Sequence, residues 1–348
     1  MGGNARLTSV LITGGAGFIG CNYAAHLVKS GHTVTVYDNL SRVGSVENLR
    51  WLCNQENASR LRFIQGDVRD ADALVAATRD HDAVFHLAAQ VAVTTSMSNP
   101  REDFEINALG TLNVLEAVRL SGRRPLVVYA STNKVYGGME GVQVVERETR
   151  WEYADLPLGL PEAQPLDFHS PYGCSKGAGD QYVRDYARIY DLPTVVFRQS
   201  CIYGPRQFGI EDQGWLAHFA IEVALGRPIS IYGDGKQVRD MLWVDDLLAA
   251  YDQTLTMPDQ VAGHIYNIGG GADFTFSVWR DVDPLLQSLA GRDIMVHHGD
   301  WRPGDQKVYV SDITAATRDL RWSPTVPPQE GLTRLWDWVT NNIELFET

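Results

Sequence analysis

Tyr172 and Lys176 stand four residues apart in the segment PYGCSK, a spacing that suits proton transfer. Pro171 fits the first turn of a helix, on which residues i and i+4 share one face. A phenol titrates near pH 10, so its use as a base at neutral pH needs about 3 pKa units of help, or about 4 kcal/mol. A neighbouring ammonium can supply part of this by stabilising the phenolate. We therefore predict a tyrosine base assisted by a lysine.

The chain holds a second tyrosine and lysine at this spacing, Tyr232 and Lys236. That pair lies in YGDGK, where the glycines predict a turn and no helix would hold both side chains on one face. We interpret the second pair as chance, so the spacing has meaning only in its context.

A glycine pattern, GGAGFIG at residues 14 to 20, lies between the apolar segment SVLIT and a helical segment. Gly14, Gly17 and Gly20 allow a tight turn, a close approach of the backbone to a pyrophosphate, and packing of the helix on the strand. The N-terminus of the helix offers free N–H groups to phosphate oxygens. Taken alone, the pattern also fits a plain structural turn, so its meaning depends on the residues around it.

Asp38 supplies that context, because it ends the second predicted strand. A carboxylate at this place can bind the ribose hydroxyls of a dinucleotide. It would repel a 2′-phosphate and so favours NAD over NADP, although the guanidinium of Arg42 can bind that phosphate. Asp67 follows the third strand and can reach the adenine, with a helix cap or a turn residue as the alternative interpretation.

Short apolar strands that alternate with helical segments must position these residues. The strand segments are SVLIT, HTVTVYD, LRFIQGD, AVFHLA and PLVVYAS, and a helix is expected over about 172–190. The alternation predicts an α/β fold with a Rossmann-type doubly wound parallel sheet and a smaller C-terminal α/β substrate-binding lobe. We expect an NAD-binding domain with the catalytic residues over 1–200 and the substrate lobe over 201–348, with a soft boundary and segments that can interleave. The polar stretch 137–169 is expected to be a functional insertion or lid.

The amino-acid composition limits the classes of partner that the protein can bind. The chain has 30 basic and 43 acidic residues, a net charge of -13, which argues against binding to nucleic acid or to an anionic membrane. Its four cysteines are widely separated, so we expect neither a zinc site nor a disulfide framework, and a reducing cytoplasm fits best. No leader pattern or membrane-spanning run is expected, because the apolar runs are short. His297 and His298 adjoin on a probable strand and would point to opposite faces, so no metal is expected.

Further segments make the chain similar to the extended short-chain dehydrogenase/reductase family of nucleotide-sugar enzymes. They are HLAAQ, NALGTLN, STNKVYG, YGCSK, IYGPRQ and GDGKQVRDMLWVDDL, in this order along nearly the whole chain. The resemblance implies a catalytic trio of Thr132, Tyr172 and Lys176, in which the Thr132 hydroxyl bonds to the sugar oxygen that is oxidised or reduced. It also implies a homo-oligomer, either a dimer or a tetramer.

Asn133 and Lys134 follow Thr132, at positions where the family's dehydratases typically carry an Asp-Glu pair. Those two side chains act as acid and base when water is eliminated, and an amide and an ammonium do not replace them. The resemblance therefore favours epimerisation over dehydration. The segments DNLSRVGSVENL, QVAVTTS and LDFHSPYGCSKGAGDQY are similar to family members that invert C2 of a CDP-linked hexose through a 2-ketone. Such an enzyme would recycle its bound NAD⁺.

The motifs and the resemblance assign residues to the cofactor and to the CDP-sugar. The candidate cofactor-binding residues are Gly14, Gly17, Phe18, Ile19, Gly20, Asp38, Asn39, Ser41, Arg42, Asp67, Val68, Leu87, Ala88, Ala89, Gln90, Asn107, Tyr172 and Lys176. The candidate substrate-binding residues are Thr132, Asn133, Lys134, His169, Ser200, Cys201, Arg206, Arg239 and Arg302. The arginines suit a diphosphate, because a guanidinium can bind two phosphate oxygens at once.

Alternatives stay open at several positions and for the activity. Arg206 in GPRQ can be a structural loop residue, and His169 can cap the helix that follows it. Cys201 stands where many relatives have an asparagine that contacts the diphosphate, so this contact is lost or passes to a neighbour such as Ser200. The other activities are those of a nucleotide-sugar 4-epimerase, 4,6-dehydratase or decarboxylase of the same family, and of a non-catalytic NAD sensor.

Overall fold

The structure is a computed structural model, and it describes residues 8–302 and 305–347. Its strands, in chain order, are β1 (Ser9–Thr13), β2 (Thr33–Asp38), β3 (Leu61–Gln65), β4 (Ala83–His86), β5 (Leu126–Thr132), β6 (Val144–Glu146), β7 (Trp151–Tyr153), β8 (Thr194–Gln199), β9 (Cys201–Tyr203), β10 (Ile229–Tyr232), β11 (Val238–Trp243), β12 (Ile265–Ile268), β13 (Thr275–Ser277), β14 (Val296–Gly299) and β15 (Val308–Tyr309). The predicted outer domain limits at residues 1 and 348, and Pro303 and Gly304 of WRPGD, lie outside the described residues.

The α-helices of the described residues are α1 (Phe18–Lys29), α2 (Ser45–Cys53), α3 (Ala71–Thr78), α4 (Val93–Ser98), α5 (Pro100–Phe104), α6 (Gly110–Leu120), α7 (Ser170–Tyr190), α8 (Trp215–Ala224), α9 (Val244–Thr256), α10 (Pro258–Val261), α11 (Val282–Ala290), α12 (Thr314–Leu320) and α13 (Pro328–Thr340). Short 3-10 turns occupy Ala58–Arg60, Asn133–Tyr136 and Ile343–Leu345, and a π-helical turn occupies Glu105–Leu109. None of these helices is long and apolar enough to cross a membrane.

Seven parallel strands form the central sheet, in the order β12-β8-β5-β4-β1-β2-β3. Successive side chains of a strand point to opposite faces, and β1 shows why both faces are apolar. Val10 and Ile12 pack with α1 and α9 on one face, whereas Leu11 packs with α3, α6 and α7 on the other. The predicted Rossmann-type doubly wound fold is confirmed. The strand order reverses between β1 and β4, where such folds bind their ligands.

A smaller lobe lies at the carboxyl end of the sheet. Strand β11 is its centre and pairs with β9, β13 and β15, while β10 and β14 form a separate parallel pair. Helices α8, α11 and α13 cover this lobe and share one apolar cluster with Trp243 and Phe276. The later chain also returns to the large sheet, since β12 is its edge strand and α9 and α12 pack on it. The division at residue 200 stays a prediction.

The stretch 137–169, predicted to be a functional insertion or a lid, packs in large part against the small lobe. It contains the hairpin of β6 and β7, whose three-residue strands are too short to show a period in the sequence. Trp151 N donates to Lys236 O (3.0 Å), and Leu160 N donates to Val310 O (2.7 Å). The segment therefore supports the floor of the small lobe, and only its ends reach the central cavity.

His86 ends β4 in a fully buried position between Thr13 Oγ1 (2.7 Å) and Thr111 Oγ1 (3.0 Å). Burial, with a smaller effect of the Lys176 charge, lowers the pKa of this imidazole to about 3. Between about pH 6.5 and pH 3 the His86 imidazole is therefore protonated in the unfolded chain and neutral in the folded protein. Stability from this group is complete above pH 6.5 and is lost as the pH falls.

We expect His86→Gln to flatten the dependence of the free energy of unfolding on pH between 6 and 4 by about 1.4 kcal/mol per pH unit. Urea unfolding at several pH values measures this slope. His297→Gln is the matched control, because His297 is exposed on β14 and should leave the slope unchanged. A slope that His86→Gln does not alter would mean that the imidazole is not held neutral.

Candidate active site

A cavity of about 940 Å³ lies between the carboxyl ends of the parallel strands and the small lobe. The loops after β1, β2, β3 and β4 line one half of it, and the residues after β5 and β8, with β10 and β11, line the other. The strand order reverses at this point, so the loops diverge and leave an open crevice.

The glycine loop forms the wall beside α1. Gly14 has a φ of +71°, and a β-carbon there would come within 2.6 Å of Ala88 N. A β-carbon on Gly17 would come within 3.1 Å of Gly14 O, a tight contact within the same turn, and would meet no other atom within 4 Å outside its immediate chain neighbours. Gly17 lines the cavity and precedes α1 without a side-chain cap, which leaves N–H groups of the first turn for an anion. The loop therefore fits a pyrophosphate.

Two carboxylates line the next part of this half. Asp38 accepts hydrogen bonds from Ala16 N (3.0 Å) and Leu40 N (2.8 Å), which fix its orientation, while burial raises its pKa. Asp67 is bound by Arg69, and mainly for this reason its pKa is lowered to about 2. Asp67 also accepts from Arg69 N in a local turn, whereas Asp70 is the residue that caps α3.

The structure brings to the cavity every candidate cofactor residue except Asn107. Asn107 is buried, donates to Gln90 O (3.0 Å), and accepts from Gln90 N (2.9 Å). This amide holds the loop that carries Gln90 and is not among the residues that line the cavity, and a direct contact of Asn107 with the cofactor stays a prediction.

Thr132, Tyr172 and Lys176 meet at the middle of the cavity, all of them nearly buried. Thr132 ends β5, and the other two lie one turn apart in α7, in which Pro171 occupies the first turn. Burial raises the pKa of Tyr172 to about 12, although a hydrogen bond from Thr132 and the charge of Arg42 act to lower it. Burial lowers the pKa of Lys176 to about 7.

The recorded contacts of the Lys176 ammonium are with groups other than the Tyr172 phenol, so its assistance to the phenol stays a prediction. Lys176 Nζ donates to Ala130 O (2.6 Å) and lies 4.2 Å from the centre of the Tyr129 ring. With these contacts alone the phenol stays protonated near pH 7, since a pKa of about 12 leaves it about 5 units, or roughly 7 kcal/mol, from neutrality. The Tyr172 phenol can therefore donate a proton, but its phenolate needs further stabilisation before it can accept one near pH 7.

Ser131 ties β5 to α7 from behind the trio. Its hydroxyl donates to Asp180 Oδ2 (2.7 Å), and Asp180 also receives two hydrogen bonds from the guanidinium of Arg198 (2.9 and 3.0 Å). All three side chains are buried. This cluster connects the strand that carries Thr132 with the helix that carries Tyr172, which explains a polar residue at the end of a buried strand.

The candidate substrate residues of the cavity are Thr132, Asn133, Lys134, His169, Ser200, Cys201, Arg239 and Arg302. His169 occupies the N-cap position of α7, yet its side chain makes no capping hydrogen bond. Burial raises the pKa of the Cys201 thiol, despite the opposing charge of Arg239. Ser200, the possible substitute for the asparagine of relatives, is hydrogen-bonded to Asp240.

Arg206 is not brought to the cavity, so its predicted contact with the diphosphate is corrected. Its guanidinium carbon lies 4.6 Å from the centre of the Trp51 ring and 5.6 Å from that of Trp338. The side chain therefore packs between two aromatic rings, as its structural alternative required.

Both remaining arginines already have carboxylate partners. Arg239 pairs with Asp305 (2.7 Å), and Arg302 pairs with Glu211 (3.0 Å) and Asp212 (3.3 Å). Glu211 and Asp212 belong to a loop at residues 209–214 that lines the cavity, and sequence reasoning missed it. Two acids before a glycine, shortly after IYGPRQ, were the available signal. Sequence reasoning also dismissed Tyr232, which lines the cavity and donates to Glu211.

Within the described ranges, no group of three or more histidine, cysteine, aspartate or glutamate side chains is arranged to hold a metal ion. The polar groups that line the cavity include the Tyr172 phenol, the Thr132 hydroxyl, ammonium and guanidinium groups, and several carboxylates.

Comparison with known proteins decides the family. Residues 10–269 match the family described as "NAD dependent epimerase/dehydratase family". The chain belongs to this family. It is 44% identical over 339 residues to the CDP-paratose 2-epimerase of Salmonella typhi, covering 95% of this chain and 99% of the relative. It is 31% identical over 334 residues to the UDP-glucose 4-epimerase of Mycolicibacterium smegmatis, covering 95% and 98%.

Solved structures of the NAD dependent epimerase/dehydratase type agree with the fold. A dTDP-glucose 4,6-dehydratase from Streptomyces venezuelae with NAD bound gives a TM-score of 0.83 at 30% identity, covering 97% of this chain and 99% of that one. A UDP-glucose 4-epimerase from Thermotoga maritima gives 0.82 at 30% identity, covering 96% and 99%. The predicted resemblance and the predicted cofactor are thereby confirmed. The protein is an NAD-dependent enzyme of the epimerase/dehydratase family.

Proposed function

We propose that the protein is an isomerase that inverts C2 of a CDP-linked hexose through a 2-keto sugar. Its substrate would be CDP-paratose, giving CDP-tyvelose, or CDP-glucose, giving CDP-mannose. The observation that carries the proposal is the 44% identity, over nearly both full lengths, to the CDP-paratose 2-epimerase of Salmonella typhi. Asn133 and Lys134 in the cavity support it, because neither side chain suits the elimination of water.

The residues divide the work between two ends of the cavity. Gly17 would admit the pyrophosphate of NAD, Asp38 would bind the adenosine ribose, and Arg239 with Arg302 would bind the diphosphate of the sugar nucleotide. Bound NAD supplies a hydride acceptor and, once reduced, a hydride donor for the sugar carbon. This division corresponds to the proposed NAD-binding domain and substrate lobe.

Tyr172, with its phenolate stabilised by the positive charge that bound NAD⁺ would bring, would take the proton from the C2 hydroxyl and later return it to the ketone oxygen. Thr132, in hydrogen-bond reach of that phenol, would hold the same sugar oxygen. Inversion requires that the keto-sugar present its second face, so the site must hold the diphosphate firmly and the hexose loosely. Two paired arginines at one end, and small polar side chains around the trio, support such a division.

Further observations bear on the alternatives, the assembly and the location of the proposed enzyme. A non-catalytic sensor is disfavoured, because Tyr172 and Lys176 both line the cavity. A homo-oligomer is supported by exposed apolar side chains on α5 and α7, such as Phe104 at 56% and Ile189 at 66% exposure. The four free thiols agree with a reducing cytoplasm as the place of a carbohydrate-biosynthetic pathway such as that of lipopolysaccharide.

A proton NMR time course tests the proposal. The purified protein is incubated without added cofactor with CDP-paratose, with CDP-glucose, and with UDP-glucose as the comparison. We expect the C2-inverted product, CDP-tyvelose or CDP-mannose, from at least one CDP-sugar, which would also show that NAD⁺ is retained. A product inverted at C4, or a 4-keto sugar that has lost water, would overturn the C2 assignment while leaving the family unchanged.

A further inference from the structure

The backbone of Lys134 lies beside the Thr132 hydroxyl. It is the second residue of the 3-10 turn after β5, and its backbone N–H donates to Thr132 Oγ1 (3.2 Å). Its side chain lines the same cavity as Thr132 and Tyr172. Within residues 8–302 and 305–347 its ammonium makes no hydrogen bond or ion pair, in contrast to Lys176, Arg239 and Arg302. A cation without a protein partner therefore faces the reaction centre.

A second cation, Arg239, lines the same cavity, and its charge acts on the Lys134 ammonium. Thr132 pairs with Gln199 at the end of β8, and Cys201, just beyond it, pairs with Met241 of β11. Arg239 lies two residues before Met241 and so projects from the same face of β11. The charges of Arg239 and Asp305 both act on Lys134, and burial together with Arg239 lowers its pKa.

This corner of the cavity carries an excess of positive charge. Arg239 is neutralised by Asp305, at 2.7 Å, and Lys134 adds a charge that Asp305 alone does not balance. Cys201 adds no charge of its own, since burial raises the pKa of its thiol. The Asp240 carboxylate, which also acts on Cys201, does not line the cavity and accepts hydrogen bonds from Ser200 and from Ser311 N. Two cations that line the cavity beside one lining carboxylate favour an anion, and a phosphate group can accept from both.

The position of the reacting carbon decides where this anion must lie. In a nucleotide sugar the phosphate is attached through C1. C2 is bonded directly to C1, whereas C4 is on the opposite side of the ring. With C2 beside Tyr172, the phosphate attached to C1 lies closer to Thr132 than it does with C4 there. A cation two residues after Thr132 suits the first arrangement.

We infer that the ammonium of Lys134 binds the sugar-linked phosphate of the substrate and so places C2, instead of a carbon farther around the ring, beside Tyr172. The inference rests on the proposed C2 chemistry. Lys134 is here a specificity-determining residue, acting together with Arg239. With a neutral side chain at residue 134, only the arginines would bind that phosphate. The sugar would then be held less closely to Tyr172.

Calorimetric titration of the NAD-loaded protein with CDP and with CMP tests this inference. CMP lacks the phosphate that Lys134 would bind. We expect Lys134→Met to weaken CDP binding at least tenfold, to change CMP binding less than threefold, and to raise KM more than it lowers kcat. Lys134→Arg should restore much of the difference between the two nucleotides. Lys307→Met is the matched control, because Lys307 lies outside the cavity against Trp151.

The outcomes separate this inference from the proposed function. If the protein binds UDP or dTDP in place of CDP, the proposed substrate fails, and the same ratio of diphosphate to monophosphate affinity still decides the role of Lys134. A folded Lys134→Met protein with an unchanged ratio would overturn the inference. Should that variant not fold, Lys134→Gln, which keeps a polar end and removes the charge, gives the same readout.

Discussion

Replacing Tyr172 by phenylalanine is expected to lower kcat by about 10²- to 10⁴-fold, the usual contribution of a general acid or base. The phenol is the proposed proton carrier, and it lines the cavity together with Thr132. The substitution removes one oxygen atom and leaves the ring to pack in its nearly buried site. The effect should therefore fall on turnover and not on folding.

Retained NAD, measured by absorbance after denaturation, and turnover, measured by NMR, test this expectation together. Tyr182→Phe is the matched control, since Tyr182 lies on the same helix and is 47% exposed. The control should keep full activity. A Tyr172→Phe protein that keeps its turnover would refute the assignment of the proton carrier.

Replacing Asp180 by asparagine is expected to cost about 3–5 kcal/mol of stability, because it leaves a buried guanidinium without its counter-charge. Asp180 is fully buried and Arg198 is 2% exposed. The remaining partners of Arg198, Tyr136 Oη (3.1 Å) and Glu162 O (3.3 Å), carry no full charge at the contact. Asp180 also holds Ser131, so the substitution loosens β5 from α7 next to the trio.

Urea unfolding of three variants measures this cost. Asp185→Asn, an exposed carboxylate on the same helix, should change the free energy of unfolding by less than about 0.5 kcal/mol. The double variant Asp180→Asn with Arg198→Met should be more stable than Asp180→Asn alone, because it removes the unpaired charge as well. Equal stability of Asp180→Asn and the unmodified protein would show that the pair contributes nothing.

Local chemistry made the cofactor half of the cavity predictable. Gly14 and Gly17 lie in one turn between a strand and a helix, and their conformations depend on residues close to them in the chain. The spacing of Tyr172 and Lys176 likewise has meaning within a single helix. The doubly wound sheet followed from apolar strands that are buried on both faces, as Leu11 and Ile12 show.

Contacts between distant segments limited the rest of the prediction. Nothing near Arg206 in the sequence indicates that Trp51 and Trp338 flank its guanidinium. Lys176 donates to the carbonyl of Ala130. Ala130 belongs to β5, and the sequence does not indicate which residues of β5 contact α7. The partners of Arg302 lie on a separate loop, and only the folded chain places them together.

The pairing of Arg302 with Glu211 and Asp212 has a consequence for selectivity. Carboxylates tethered to the same chain compete with a free anion at an effective concentration on the order of millimolar. An inorganic phosphate that contacts only Arg302 gains little binding free energy when it displaces these carboxylates. A ligand that binds several parts of the cavity at once gains enough to displace both. We therefore expect the loop at 209–214 to favour ligands that make several contacts in the cavity over small anions that contact Arg302 alone.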